Sequence, residues 1–161
     1  MIIKALVDED FVNYKVPTMY IGTAQCDGKC CREAGIPLSV CQNDEWRKRA
    51  TIDMADRKII NRYLQNPITK AICFAGLEPF EQFDELLRLI RTLRLEYQCD
   101  DPVVIYTGFN RDEIEAEITK LAELKNIIVK FGRYVPNQEP RYDEVLGVTL
   151  ASPNQYAEVI G

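Results

Sequence analysis

The sequence predicts an α/β fold: an open, partial (βα) barrel with a mainly parallel, curved sheet and a cysteine-rich cluster loop after an early strand. Short apolar runs alternate with amphipathic helical segments, which is typical of right-handed βαβ units. The polar stretch 23–44 holds four cysteines and separates the second apolar run from the first clear helix. The units are too few for a closed eight-stranded barrel. A length of 161 residues fits one domain over 1–161.

The individual elements follow from apolar runs and from helical periodicity. Strands are predicted where apolar residues run together, at 2–7, 19–21, 70–75, 102–106, 126–131 and 145–150. Helices are predicted where apolar residues recur at helical spacing, at about 53–65, at about 80–97 and from Asn110 onward. Asp53 is the expected N-cap of the first helix, and Asn110 with Glu113 has capping-box spacing. Residues 136–142 are predicted to form a loop.

The segments that follow the strands are the expected location of a site. In parallel α/β sheets, ligands bind at the carboxyl ends of the strands. The segments in question are TAQCDGKCC, GLEPF, TGFN and GRYVPN. Each contains glycine, which allows the backbone to approach a ligand closely.

Composition excludes several classes of function. The chain has no histidine, which excludes Ser-His-Asp catalysis, Cys-His catalysis and histidine-ligated zinc. The net charge of -5 argues against nucleic acid as a partner, because phosphate binding needs clustered Lys and Arg. No segment approaches the roughly 18 apolar residues of a membrane span. We therefore expect a cytoplasmic protein with neither a membrane nor a nucleic-acid partner.

Four of the six cysteines fall within sixteen residues, at Cys26, Cys30, Cys31 and Cys41. Closely spaced thiolates in a reducing compartment suit a soft metal site. Three explanations stay open. Free buried thiols are disfavoured by the polar flanking residues. Structural zinc would usually need two separated pairs of cysteines. An iron–sulfur cubane held by three thiolates would leave one iron open for a ligand. Cys73 and Cys99 are expected to be structural.

Two segments resemble motifs of the radical S-adenosylmethionine superfamily. The run Gly76-Leu77-Glu78-Pro79 follows a predicted strand and resembles the Gly-Gly-Glu-Pro motif, with Leu77 in place of the second glycine. The run Tyr106-Thr107-Gly108-Phe109 resembles the Tyr-Thr-Gly-Tyr segment of anaerobic ribonucleotide reductase activating proteins. Three more segments resemble that family in the same order along the chain, and they are Cys41-Gln42-Asn43, Val129–Tyr134 and Ser152-Pro153-Asn154-Gln155.

The resemblance implies a 4Fe-4S cluster and S-adenosyl-L-methionine as cofactors. The family motif is C-x₃-C-x₂-C, but Glu33 stands where this spacing requires the third cysteine. We expect Cys26, Cys30 and Cys41 as the ligands, with Cys31 as the alternate, because Asn43 matches the residue that follows the third ligand in the family.

The resemblance also implies which residues hold S-adenosylmethionine. The turn that contains Gly76, Leu77, Glu78 and Pro79 would hold the methionine end. The other implied contacts are Thr107 and Gly108 on the methionine or ribose side, Val40 against the adenine, Asn43 beside the cluster loop, and Asn154 with Gln155 at the far edge. Gly, Thr and Asn also dominate ordinary turns, so a structural role is the competing interpretation for these positions.

The function that the resemblance implies is a glycyl radical enzyme activase. Such an enzyme would install a glycyl radical on a partner such as an anaerobic ribonucleotide reductase, with a flavodoxin- or ferredoxin-like electron donor. Two alternatives stay open: a non-enzymatic zinc- or iron–sulfur-binding module, and a radical enzyme that acts on a different small-molecule or peptide substrate. Lys130 stands where the family tends to have an acidic residue, which leaves the partner or substrate open.

Overall fold

The structure is a computed structural model that describes residues 1–41 and 43–161. Within these ranges, a seven-stranded sheet has the order β3-β1-β2-β4-β5-β6-β9, and β7 pairs with β8 in a separate hairpin. The strands are β1 (Ile2–Asp10), β2 (Thr18–Thr23), β3 (Ile52–Asp53), β4 (Ala71–Gly76), β5 (Val103–Tyr106), β6 (Ile127–Phe131), β7 (Arg141–Asp143), β8 (Val148–Leu150) and β9 (Tyr156–Val159).

Helices connect the parallel strands and cover the sheet. They are α1 (Lys29–Ala34), α2 (Asp44–Lys48), α3 (Asp56–Gln65), α4 (Phe83–Arg91) and α5 (Glu115–Leu121). Single 3₁₀ turns occupy Leu38–Val40, Pro79–Gln82 and Arg111–Glu113, and a π-helical turn at Thr92–Glu96 extends α4. Within the described ranges, every helix is too short or too polar to cross a lipid bilayer.

The four central strands β2, β4, β5 and β6 pair in parallel. At the two sides, β1 pairs antiparallel with β2 and with β3, and β9 pairs antiparallel with β6. The predicted mixed α/β class with a mainly parallel sheet is confirmed. Curvature into a partial barrel stays a prediction.

Alternation along the central strands creates two different faces, since successive side chains of a strand point to opposite sides. We call the first the helix face: Ile21, Phe74, Ile105 and Val129 are fully buried in one cluster with apolar side chains of α3, α4 and α5. We call the opposite side the cavity face. It is formed by Tyr20, Cys73, Ala75, Tyr106 and Lys130.

The predicted start of the first clear helix at Asp53 is wrong. Residues Ile52–Asp53 form β3, which pairs with β1, and the helix begins at Asp56. The N-terminal ammonium of Met1 donates to Met54 O at 2.7 Å and lies 3.0 Å from an Asp56 carboxylate oxygen. These long-range contacts hold residues 52–54 in an extended conformation and place a carboxylate in the first helical turn.

Three other predicted elements need correction. The cysteine-rich loop contains two short helices, α1 and α2, and a 3₁₀ turn. The predicted loop 136–142 contains the start of β7. Only the end of the predicted strand 145–150 forms a strand, β8, which pairs with β7. The apolar pattern does not predict β9, which borders β6. Each of these elements is at most six residues long and depends on tertiary contacts.

Candidate functional site

A cavity of about 550 Å³ lies over the cavity face at the carboxyl ends of the central strands. This volume is within the range of small-molecule sites. The cavity brings together most of the site residues expected from the sequence. They are Cys26, Cys30, Cys31, Cys41, Asn43, Gly76, Leu77, Glu78, Thr107, Gly108 and Gln155.

Backbone N–H groups point at two of the cysteine sulfurs. The N–H of Gly28 donates to Cys26 Sγ at 3.3 Å, and the N–H of Asn43 donates to Cys41 Sγ at 3.4 Å. Gly28 has a φ of 78°, and a Cβ there would lie 2.7 Å from the Leu38 side chain, so the turn requires glycine. Both turns therefore present hydrogen-bond donors that stabilise negative charge on sulfur.

Cys30 and Cys31 are neighbours on α1 but have different surroundings. Cys30 Sγ lies where a side chain on Gly108 would be, 2.5 Å from the position of a Cβ. Burial and the nearby carboxylate of Glu78 raise the pKa of Cys30 to about 11. Cys31 is buried, and its pKa is raised by burial and by the neighbouring Cys41 thiol. The loop therefore directs Cys30 toward the strand ends, whereas Cys31 lies beside Cys41.

Glu78 joins three chain segments at the bottom of the site. Its carboxylate accepts hydrogen bonds from Thr107 Oγ1 at 2.7 Å, from the Gly108 N–H at 2.9 Å and from the Phe80 N–H at 3.1 Å. Its own N–H donates to Gln25 O at 2.7 Å. Burial raises the pKa of Glu78 to about 7, although these hydrogen bonds act in the opposite direction. The side chain thus joins the turns after β4 and β5, and the backbone N–H joins the turn after β4 to the cysteine loop.

Lys130 is a buried cation on the cavity face. Its ammonium donates to Gly132 O at 3.0 Å and lies 5.8 Å from the ring centroid of Tyr106. Burial lowers the pKa of Lys130 to about 8, although the nearby Glu78 carboxylate acts to raise it. A charged group in such a position faces whatever occupies the cavity.

Three of the predicted contact residues lie away from the cavity lining. Val40 is half exposed on the 3₁₀ turn before Cys41, and Pro79 is buried at the start of the next 3₁₀ turn. Asn154 donates through its side chain to Arg133 O at 2.8 Å, a contact that closes a turn. The expected contacts of these residues with S-adenosylmethionine stay predictions.

Several residues that line the cavity were not among those expected from the sequence. Tyr20 and Trp46 lie with their ring centroids 5.5 Å apart, and Arg47 and Tyr106 also line the cavity. The alternation of side chains along β2 and β5 could have indicated that Tyr20 and Tyr106 point to the cavity face. The short polar helix α2 offered no signal for the tryptophan or the arginine.

A family model matches the part of the chain that contains the cysteine loop and both turns. The model described as "4Fe-4S single cluster domain" matches residues 23–151. The chain belongs to the 4Fe-4S single cluster domain family. No curated protein and no solved structure matches the chain.

The donor set fits the cluster of a 4Fe-4S single cluster domain. Among residues 1–41 and 43–161, no group of three or more cysteines, aspartates or glutamates is arranged to hold a metal ion. A cubane is larger than an ion and binds each thiolate at a different iron, so its ligands surround it. Four thiols around one cavity, with N–H donors on two of the sulfurs, meet this requirement.

Proposed function

We propose that the chain is a radical S-adenosylmethionine enzyme. One observation carries this proposal: the cysteine loop, the Gly76–Glu78 turn and the Thr107–Gly108 turn all line one cavity. The family membership supports a bound 4Fe-4S cluster, and the volume of about 550 Å³ is within the range of small-molecule sites.

We propose Cys26, Cys30 and Cys41 as the cluster ligands, with Cys31 as the alternate. The N–H donors at Cys26 and Cys41 favour thiolates at these two positions. Cys30 is directed toward Glu78, so a cluster bound there would lie next to the Gly76–Glu78 turn. Cys31 and Cys41 line the same cavity, so Cys31 could replace Cys41 as the third ligand.

The turn after β4 is the proposed contact for the methionine end of the cosubstrate. Gly76 has a φ of 90°, and a Cβ there would lie 3.1 Å from Gly22 Cα, so only glycine permits this backbone path. Glu78 anchors the turn through its hydrogen bonds to Thr107 and Gly108. A backbone held in this way can receive the amino group of a ligand without reorganisation.

The proposed reaction needs an electron, a cosubstrate and a hydrogen-atom donor. When bound, the cluster supplies one electron, taken from a flavodoxin- or ferredoxin-like donor, to the sulfonium of S-adenosylmethionine. The carbon–sulfur bond breaks to give methionine and a 5′-deoxyadenosyl radical, which takes a hydrogen atom from the substrate and becomes 5′-deoxyadenosine. The side chains around the cavity position the cosubstrate and exclude water.

The favoured substrate is a glycine of a large partner, such as an anaerobic ribonucleotide reductase. The support is that five segments resemble motifs of the proteins that activate this reductase and lie in the same order along the chain. One observation favours a second candidate, a small molecule with an anionic group. Lys130 places an ammonium on the cavity face where the resembled family tends to have an acidic residue.

Product analysis tests the radical chemistry. The protein is purified without oxygen, reconstituted with iron and sulfide, reduced with dithionite and incubated with S-adenosylmethionine. We expect a brown protein that forms 5′-deoxyadenosine and methionine in equal amounts. A colourless protein that contains zinc supports the non-enzymatic module instead. A brown protein that leaves S-adenosylmethionine intact supports an iron–sulfur carrier.

Cysteine variants test the ligand assignment. Cys26→Ala, Cys30→Ala and Cys41→Ala are each expected to lose most of the bound iron and sulfide, because a cubane with two protein ligands is held weakly. Cys31→Ala is expected to retain them. Cys73→Ala is the matched control, since its thiol is buried in β4 outside the cysteine loop. Full iron content in Cys41→Ala together with loss in Cys31→Ala would reverse the assignment.

A further inference from the structure

Arg47 lies beside the first cysteine of the loop. One of its terminal nitrogens, Nη1, donates to Cys26 O at 3.3 Å, and Nη2 lies 3.8 Å from Cys26 Sγ, within hydrogen-bond range for sulfur. The guanidinium also lines the cavity. Among the residues that the structure describes, none accepts a hydrogen bond from its buried Nε. The hydrogen bonds of the guanidinium go to Cys26, and no carboxylate of the described residues forms an ion pair with it.

The position of Arg47 is set by the sheet. The helix α2 is tied to β1 by Lys4, whose ammonium donates to Arg47 O at 3.2 Å and to Arg49 O at 2.5 Å. The neighbouring Trp46 packs against Tyr20 of β2. These contacts hold a five-residue helix that would be unstable alone, and they fix where its arginine, Arg47, points.

The next arginine along the chain, Arg49, has different contacts. Arg49 is exposed, and its guanidinium stacks on the ring of Trp46 at 4.1 Å from the centroid. It carries the same charge on the same short segment as Arg47. Arg49 is therefore a matched control for any effect of charge at a distance.

We propose that Arg47 is a positioning residue that raises the reduction potential of the cluster through its contact with the Cys26 sulfur. This inference rests on the proposed ligation by Cys26. Reduction adds one negative charge to the cluster. A guanidinium remains charged at any physiological pH, and a fixed cation next to a ligand sulfur stabilises the reduced form more than the oxidised form. Hydrogen bonds to ligand sulfurs act in the same direction.

The test is an anaerobic potentiometric titration of the reconstituted protein, followed by electron paramagnetic resonance of the reduced cluster. In Arg47→Gln, the ratio of reduced to oxidised cluster at the wild-type midpoint is expected to fall tenfold, which is about 59 mV for a one-electron couple. Arg49→Gln is expected to stay within twofold of the wild type. Arg47→Lys retains the charge and is expected to lie between the wild type and Arg47→Gln.

Several outcomes would overturn the inference. One is a wild-type potential in Arg47→Gln with full iron and sulfide content. If that variant loses its cluster, the fully loaded Arg47→Lys variant decides. A wild-type potential there would overturn the inference, because the contact of the guanidinium with the Cys26 sulfur would then have no effect on the potential. Full iron content in Cys26→Ala also overturns it. A protein that binds a cluster but forms no 5′-deoxyadenosine contradicts the proposed function alone, since the potentials are still measured.

Discussion

Along β4, Phe74 points to the helix face and Cys73 to the cavity face, and the contrast between these neighbours continues across the central strands. The helix face is apolar and fully buried against α3, α4 and α5. The cavity face carries tyrosines, a thiol and an ammonium, and it borders the cysteine loop. The same strands therefore supply the stability of the fold on one side and its reactive groups on the other.

Three groups around the cavity have pKa values that burial displaces. Burial displaces the pKa of Glu78 to about 7, of Lys130 to about 8 and of Cys30 to about 11, and all three groups lie around the cavity. Burying charged groups costs free energy. The cavity face thus lowers the stability that the helix face provides, a combination that is common at functional sites.

The largest expected effect is at the helix face. Phe74→Ala removes a fully buried ring and is expected to lower the free energy of unfolding by about 3–5 kcal/mol. Cys73→Ala, one residue earlier on the cavity face, removes a single sulfur atom and is expected to cost about 1 kcal/mol. Urea denaturation of the metal-free protein measures both. Similar losses for the two variants would contradict the division between the faces.

The helix face was predictable from the sequence. Strand β5 is an apolar run, β6 is one except for Lys130, and apolar residues recur at helical spacing through α3, α4 and α5, so the existence and order of these elements follow from the pattern. The structure also has the capping box of Asn110 and Glu113. What the pattern could not give was strand direction. Nothing in the apolar run of β1 indicates that it pairs antiparallel with β2, because an apolar run carries no information about its neighbours.

The site was only partly predictable. The turns at Glu78 and Gly108 were found because glycine, threonine and proline follow buried strands. The short helices α1 and α2 were missed because helices of five or six residues are marginal without tertiary contacts. Arg47 lies in a run of basic residues that is typical of a solvated surface, and its contact with Cys26 exists only because Lys4 and Trp46 hold α2 against the sheet.

The second prediction concerns the buried carboxylate. Because the folded state raises the pKa of Glu78 from 4.5 to about 7, the metal-free protein is expected to lose about 3 kcal/mol of stability as the pH rises between these values. The sign follows from proton binding: in this range the folded state holds a proton that the unfolded state has released. The contribution is complete below pH 4.5 and lost above about pH 7.

Glu78→Gln tests this dependence. The amide cannot ionise, so its stability is expected to vary less between pH 4.5 and 7 than that of the wild type. It is also expected to be less stable at pH 4.5, because an amide NH₂ group cannot accept the hydrogen bond from Gly108. Urea denaturation across this pH range measures both effects. Parallel pH profiles for the two proteins would show that Glu78 is not the group responsible.

The smallest predicted effect concerns the surface contacts that hold the cysteine helix. Glu113 pairs with Arg133 at 2.6 Å and with Lys29 of α1 at 2.5 Å, so it links α1 to the segment after β6. The Arg133 guanidinium and the Lys29 ammonium keep the pKa of Glu113 below its usual value. Its contribution to stability is therefore present above pH 4.5 and is lost as the pH falls below that value.

Glu113→Gln separates the charge from the helix cap. Glutamine can still accept from the Asn110 N–H in the capping box, so the variant removes mainly the ion pairs. Because these pairs are partly exposed, we expect a loss of about 1 kcal/mol at pH 7 that shrinks below pH 4.5. Glu123→Gln, which removes a more exposed pair with Arg91, is the control and is expected to change stability by less. If Glu113→Gln matches that control, the ion pairs of Glu113 do not stabilise the fold, and other contacts of the cysteine loop, such as that of the Glu78 N–H with Gln25 O, hold it at the strand ends.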